Sequence, residues 1–75
     1  MTKVKNIGSN QTEIHKADGA VILVSYSTPV AAQLAGGGFV RTAEKFSNTT
    51  TRHINKWLSG INAEEVPQSQ LDSML

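Results

Sequence analysis

The spacing of apolar residues changes once along the chain, and this change predicts two kinds of secondary structure. Between residues 11 and 46, short runs alternate with a period of two, which is typical of strands. Beyond them the apolar residues fall at i, i+3, i+4 and i+7, the stripe of an amphipathic helix: Ile54, Trp57, Leu58 and Ile61. The pattern therefore predicts strands followed by one helix.

Two strand-like runs, residues 11–17 and 20–27, flank Asp18-Gly19. An Asp-Gly pair in this position favours a hairpin with a type I′ turn, because both of its central residues need positive φ. The second run is rich in β-branched residues and carries apolar side chains on both faces, which indicates a central strand.

Two further strands are predicted on either side of three consecutive glycines. Residues 30–34 alternate after Thr28-Pro29, where the proline should open a strand or lie at an edge. Residues 39–46 can form the fourth strand, with a bulge near the glycines that lets Phe39 and Phe46 face one core. The glycines themselves are expected to form the hairpin tip.

The predicted fold is α+β, a four-stranded antiparallel ββββα meander with one helix packed across a face. Ser47 and its neighbours are good N-cap residues, and Gly60 suits the left-handed position after the last turn. We expect the helix stripe to pack against the strand face that carries Ile22, Val24 and Tyr26. Residues 1–61 form the predicted domain, and residues 62–75 a C-terminal tail that is frayed or forms one short turn.

Size and composition exclude several classes of function. The chain has 75 residues and no cysteine, so it predicts a single domain without disulfides or a thiolate metal site. No apolar segment approaches the roughly 20 residues of a membrane span, and no leader of signal-peptide type is visible, which predicts an intracellular protein. Residues 1–61 carry all seven Lys and Arg against three carboxylates, net +4, whereas residues 62–75 carry three carboxylates, net −3.

The richest cluster of candidate binding residues surrounds the start of the predicted helix. Consecutive threonines are poor helix-interior residues, but in a first turn their hydroxyls can bond free backbone N–H groups. The same geometry, at the positive end of a helix dipole, can bind a phosphate or carboxylate. The candidate contact residues are Thr49, Thr50, Thr51, Arg52 and Lys56, extended by Arg41 and Lys45. The alternative is that these residues only cap the helix, with more capping groups than it needs, and bind no ligand.

No combination of residues predicts catalysis or a cofactor. His53 and His15 lack a nearby acidic cluster that would complete a metal site, so His53 is interpreted as a packing or hydrogen-bonding residue. Residues 35–39 lack the Lys-Ser/Thr ending of a P-loop and the spacing of a dinucleotide fingerprint. No nucleophile elbow supports a Ser-His-Asp arrangement. Trp57 is either a core anchor or a stacking residue at an interface.

Two blocks of the chain resemble a group of short, uncharacterised proteins of tailed bacteriophages. These blocks are SYSTPVA at residues 25–31 and KFSNTTTRHINKWL at residues 45–58, which match the patterns SYxTxVA and KxSxTTxxHIxxxL. The resemblance covers about the central two thirds of the chain. It implies phage origin and a site of action in the host cytoplasm, and it supplies no mechanism.

Together these features predict a non-enzymatic phage accessory protein that binds a host macromolecule stoichiometrically. The expected partner is a host protein or complex, for example a host enzyme or a defence complex that the protein inhibits. The alternative is a small nucleic-acid-binding module that uses the basic helix face. Neither a cofactor nor a membrane contact is expected, and a homodimer would double the basic patch.

Overall fold

A computed structural model describes residues 3–8 and 10–75, and these form a single sheet with a helix on each face. The sheet order follows the chain order throughout. The elements are β1 (Lys3–Gly8), β2 (Gln11–His15), β3 (Val21–Ser25), β4 (Thr28–Gln33), β5 (Phe39–Thr42), α1 (Asn48–Leu58), β6 (Glu64–Val66) and α2 (Gln68–Asp72).

The α+β class is confirmed, but the four-stranded meander is wrong because the sheet has six strands in the described residues. Strands β1 to β5 pair antiparallel with their sequence neighbours, and α1 then crosses over so that β6 pairs parallel to β5. The two unpredicted strands are the edges of the sheet. Edge strands bury few side chains, and β6 has only three residues, so neither carries a clear alternating pattern.

The helix α1 covers the face opposite to the one expected. Its buried Ile54 and Leu58 pack with Leu23, Val30 and Ala31. The face that carries Ile22 and Val24 instead packs against α2. Strand β3 is buried on both faces. The alternation of apolar and polar residues that would show which face the helix covers is therefore absent from it.

The predicted hairpin at Asp18-Gly19 is present, but its turn is not type I′. The backbone N–H of Lys16 donates to the carbonyl of Ala20 at 2.8 Å, which closes a loop of three residues. Only Gly19 in this loop has positive φ, at 98°, as in three-residue hairpin loops that end with a left-handed residue. The Asp18 carboxylate accepts a hydrogen bond from the N–H of Ala20 at 3.0 Å, which stabilises the loop.

Three apolar residues assigned to the core lie at the surface instead. Tyr26 belongs to the two-residue β3–β4 turn with φ of 58° and is 54% exposed. Phe46 follows β5, which ends at Thr42, and is 42% exposed, so no bulge brings it back to the core. Ile61 lies beyond the end of α1 and is 45% exposed. Each prediction extended an element beyond its last residue in the structure.

The C-terminal segment contributes to the core, which therefore extends beyond residue 61. Val66 on β6 is buried, and Leu71 on α2 is fully buried against the sheet. The side-chain amide of Gln68 donates to the carbonyl of Pro29 at 2.7 Å and accepts from the hydroxyl of Thr42 at 2.7 Å. Residues 64–72 thus complete the sheet and cover its second face.

Candidate binding surface

The first turn of α1 is capped by its own sequence. Ser47 has extended backbone dihedrals, and its hydroxyl accepts a hydrogen bond from the N–H of Thr50 at 3.3 Å. The Thr51 hydroxyl donates to the Ser47 carbonyl at 3.3 Å. Hydroxyls of the chain itself therefore occupy part of the hydrogen-bonding capacity that an anion would need.

A buried polar network fastens α1 to the end of β3. The hydroxyl of Ser25, which is 1% exposed, lies 2.9 Å from Nδ1 of His53 and 3.3 Å from the hydroxyl of Thr50. The ring of His53 also lies against Tyr26, with centroids 6.2 Å apart. A serine and a histidine at this distance can form a nucleophile–base pair, but a substrate has no access to a hydroxyl this deeply buried. The network is suited to holding the helix in place.

A second polar contact fastens the other end of α1 to β2. The indole N–H of Trp57 donates to Oε2 of Glu13 at 2.7 Å, and Nε2 of His15 lies 2.9 Å from Oε1 of the same carboxylate. Burial alone would raise the pKa of Glu13, but the hydrogen bonds from Trp57 and His15, with the charges of His15 and Lys5, hold its pKa below the ordinary value of 4.5. Glu13 therefore remains an ionised acceptor for Trp57 at neutral pH.

The outer surface of α1 carries a set of exposed polar residues that we call the cationic stripe. It consists of Thr49, Arg52 and Lys56, which the spacings i, i+3 and i+7 place on one side of the helix. Within residues 3–8 and 10–75, neither Arg52 nor Lys56 lies within 4.0 Å of a carboxylate oxygen. Both positive charges are therefore available to a partner.

An open cleft of about 350 Å³ lies beside the first turn of α1. Its charged lining residues are Arg41, Lys45, Glu44 and Glu65, so its formal charge is zero. Arg41 donates from Nη1 to Oδ1 of Asn55 at 3.2 Å, which directs its guanidinium toward the helix. Because these charges cancel, the cleft is poorly suited to bind a phosphate, although the positive end of the helix dipole lies next to it.

In the structure, the residues predicted to form one contact surface lie in two separate places. Thr49, Arg52 and Lys56 lie on the cationic stripe, whereas the half-buried Arg41 and the exposed Lys45 and Thr51 line the cleft. Thr50 was expected at the exposed helix end but is only 5% exposed, because its hydroxyl belongs to the network around Ser25.

Sequence reasoning missed three residues that shape this surface: Ser25, Glu13 and Tyr26. Ser25 contacts a residue of α1 that lies 28 positions away in the sequence, and Glu13 contacts one that lies 44 positions away. No local sequence pattern predicts pairs at this separation. Tyr26 does carry a signal, since the Thr-Pro that follows it favours a turn over a continued strand. An earlier end to β3 would have placed Tyr26 at the surface.

Comparison with known proteins identifies the family but not an activity. The chain belongs to a family of unknown function, DUF8033, whose model matches residues 2–73. No curated protein and no solved structure matches it. In the part of the chain that the structure describes, no three His, Asp or Glu residues are grouped as a metal site would require. None of the described helices has the length and apolar character needed to cross a bilayer.

Proposed function

We propose that this protein acts by stoichiometric binding, as a small phage accessory protein in the host cytoplasm that blocks a host enzyme or defence complex. The observation that carries the proposal is the cationic stripe, because Arg52 and Lys56 are exposed and lie beyond ion-pair distance of every described carboxylate. The expected partner is a protein with an acidic surface. Charge complementarity of this kind raises association rates and excludes wrong partners.

The attachment of α1 to the sheet supports a binding role. The helix is held near its start by the contacts of Ser25 with His53 and Thr50, and near its end by the hydrogen bond from Trp57 to Glu13. A surface fixed before binding loses less conformational entropy when it meets its partner. The backbone that carries the stripe is therefore preorganised.

Tyr26 extends the surface with an aromatic side chain. It is 54% exposed and is placed beside α1 by its contact with His53. Tyrosine and arginine are enriched among the residues that dominate protein–protein binding energies. An exposed tyrosine next to a positively charged helix face is consistent with a protein-binding surface of a few anchor residues.

The proposal is tested with a double charge reversal, Arg52→Glu with Lys56→Glu. Both residues are exposed, so the free energy of unfolding should change by less than about 0.5 kcal/mol. A tagged wild-type chain should retain a specific protein from host lysate, and the charge-reversed chain should bind that purified protein at least about tenfold more weakly. The matched control, Arg52→Lys with Lys56→Arg, keeps both charges and should bind nearly as well. Equal binding by a folded charge-reversed chain would refute the proposal.

A nucleic-acid partner is the second candidate, and the exposed tyrosine beside the stripe favours it. A base can stack on Tyr26 while Arg52 and Lys56 contact phosphates. In that case the captured material disappears on nuclease treatment, and the logarithm of the affinity falls steeply and linearly with the logarithm of salt concentration. A protein partner survives the nuclease and shows a shallower dependence on salt.

A further inference from the structure

The two edge strands of the sheet carry opposite charges. Five of the six residues of β1 are exposed, and among them are Lys3 and Lys5. At the opposite edge, β6 presents the exposed carboxylates Glu64 and Glu65. Each edge strand pairs with only one neighbour in the sheet, so each leaves a row of backbone groups that can bond another strand.

One cross-strand row connects these two edges. The pairings place six residues side by side in adjacent strands, which puts their side chains on the face covered by α1. The row consists of Lys5, Glu13, Leu23, Ala31, Arg41 and Glu65. It therefore begins with a positive charge at one edge and ends with a negative charge at the other.

The directions of the strands allow the row to continue into a second copy of the chain. Strand β5 runs in the same direction as β1, because the pairings between them are all antiparallel and reverse direction an even number of times. Strand β6 is parallel to β5 and hence to β1. A second copy placed at the β6 edge in the same orientation therefore offers its β1 as a parallel strand, with its α1 on the same face.

We infer that the chain associates head to tail with a second copy of itself, through parallel pairing of β6 in one copy with β1 in the next. The register that continues the row places Glu65 of one copy beside Lys5 of the other. Within the described residues, neither side chain lies within 4.0 Å of an opposite charge in its own chain. The contact is heterologous, so it leaves a free edge at each end and allows further copies to add.

The association is expected to be weak, because β6 contributes only three residues. Such a contact buries less than the roughly 1,000 Å² of a stable interface. It leaves the cationic stripe free, since α1 packs on β3 and β4 in the middle of the sheet. An array of copies would therefore present a repeated stripe, which raises the avidity for a partner with repeated sites. The inference itself does not depend on the proposed function.

Sedimentation velocity over about 10 μM to about 1 mM tests the inference on the intact chain, since weak contacts dissociate in this range. The wild-type protein should show a sedimentation coefficient that rises with concentration. Lys5→Glu and Glu65→Lys should each weaken the association at least about tenfold, because each places like charges at the contact. An equal mixture of these two variants should associate again, since every contact between unlike variants joins opposite charges.

Two controls separate this contact from other causes. Lys56→Glu makes the same charge change as Lys5→Glu but on α1, and it should leave the association unchanged. Circular dichroism and thermal unfolding establish that each variant is folded. A wild-type chain that stays monomeric up to about 1 mM would overturn the inference, and so would a mixture of the two variants that fails to associate. Loss of association in Lys56→Glu would assign the contact to α1 and equally overturn it.

Discussion

The two faces of the sheet are covered by helices that are held in different ways. The helix α1 has 11 residues, a serine cap and four side-chain contacts to the sheet, through Thr50, His53, Asn55 and Trp57. The helix α2 has five residues and no side-chain cap, and the single buried residue in it is Leu71. Polar side-chain contacts fix the position of α1 over the sheet, whereas α2 is held by Leu71 and by the side-chain amide of Gln68.

Under the binding role proposed for α1, this difference gives the two faces different tasks. Directional hydrogen bonds at both ends of α1 fix its position as well as its packing, which is what a binding surface requires. The face under α2 contains the apolar cluster of Ile22, Val24, Val40 and Val66, on which Leu71 packs. Its main effect is to remove apolar area from water. Mutations beneath α2 should therefore lower stability and leave the cationic stripe unchanged.

The largest effect is expected from Leu71→Ala. Leu71 is fully buried among apolar residues, and such truncations lower the free energy of unfolding by about 2–5 kcal/mol. This loss is comparable to the whole stability of a domain of this size. Chemical denaturation measures it. The matched control is Leu75→Ala, which removes the same atoms from a side chain that is 58% exposed and should change little. Equal stability of Leu71→Ala and wild type would mean that α2 is not part of the cooperative core.

A smaller effect is expected from Ser25→Ala on the face covered by α1. The change removes the hydroxyl that contacts His53 and Thr50, and unpaired buried polar groups cost about 1–3 kcal/mol. Thermal or chemical unfolding measures the loss. The control is Ser27→Ala, an exposed serine in the neighbouring turn, which should be nearly neutral. A neutral Ser25→Ala would contradict the view that this network anchors α1.

The smallest loss of unfolding free energy, about 1 kcal/mol, is expected from Glu13→Gln at neutral pH. The reason is that a neutral amide oxygen accepts the hydrogen bond of Trp57 less strongly than a carboxylate does. The pKa of Glu13 is lower in the folded state, so its ionised form stabilises the fold above the ordinary pKa of 4.5. This contribution is lost as the pH falls below 4.5 through the folded-state pKa. The stability difference between wild type and Glu13→Gln should therefore shrink in acid.

Stability measured at several pH values tests this sign. Trp57→Phe serves as the companion variant, because it removes the indole N–H and retains an aromatic ring beside Phe39. In Trp57→Phe, the pKa of Glu13 should move back toward its ordinary value, and the acid-dependent loss of stability should be smaller than in the wild type. A Glu13→Gln chain that loses stability in acid as strongly as the wild type would show that other groups govern the response.

The candidate site could be predicted in part, because helix spacing is a local property. The periodicity that buries Ile54 and Leu58 also places Arg52 and Lys56 on the outer surface. The spacing did not predict the surroundings of Arg41 and Lys45, because Glu65 joins their cleft from β6. Arg41 and Lys45, which were expected to extend a basic contact surface, therefore line a cleft whose formal charge is zero. The charge of a site depends on all the elements that meet there.

The sequence alone determined the features that depend on neighbouring residues. These are the β2–β3 hairpin at Gly19, the glycine-containing tip between β4 and β5, and the start of α1 after Ser47. Their hydrogen bonds and backbone conformations are decided within a few positions, where turn and capping residues act directly.

Only the tertiary structure decided which face each helix covers, how the edge strands pair and which polar residues meet. Strand β3 is buried on both sides, so its pattern is compatible with a helix on either face. Glu13 and Trp57 meet across 44 positions, and Gln68 and Pro29 across 39. Contacts of this range form when the sheet and its helices pack together, because each partner gains its hydrogen bond only when the other is already in place.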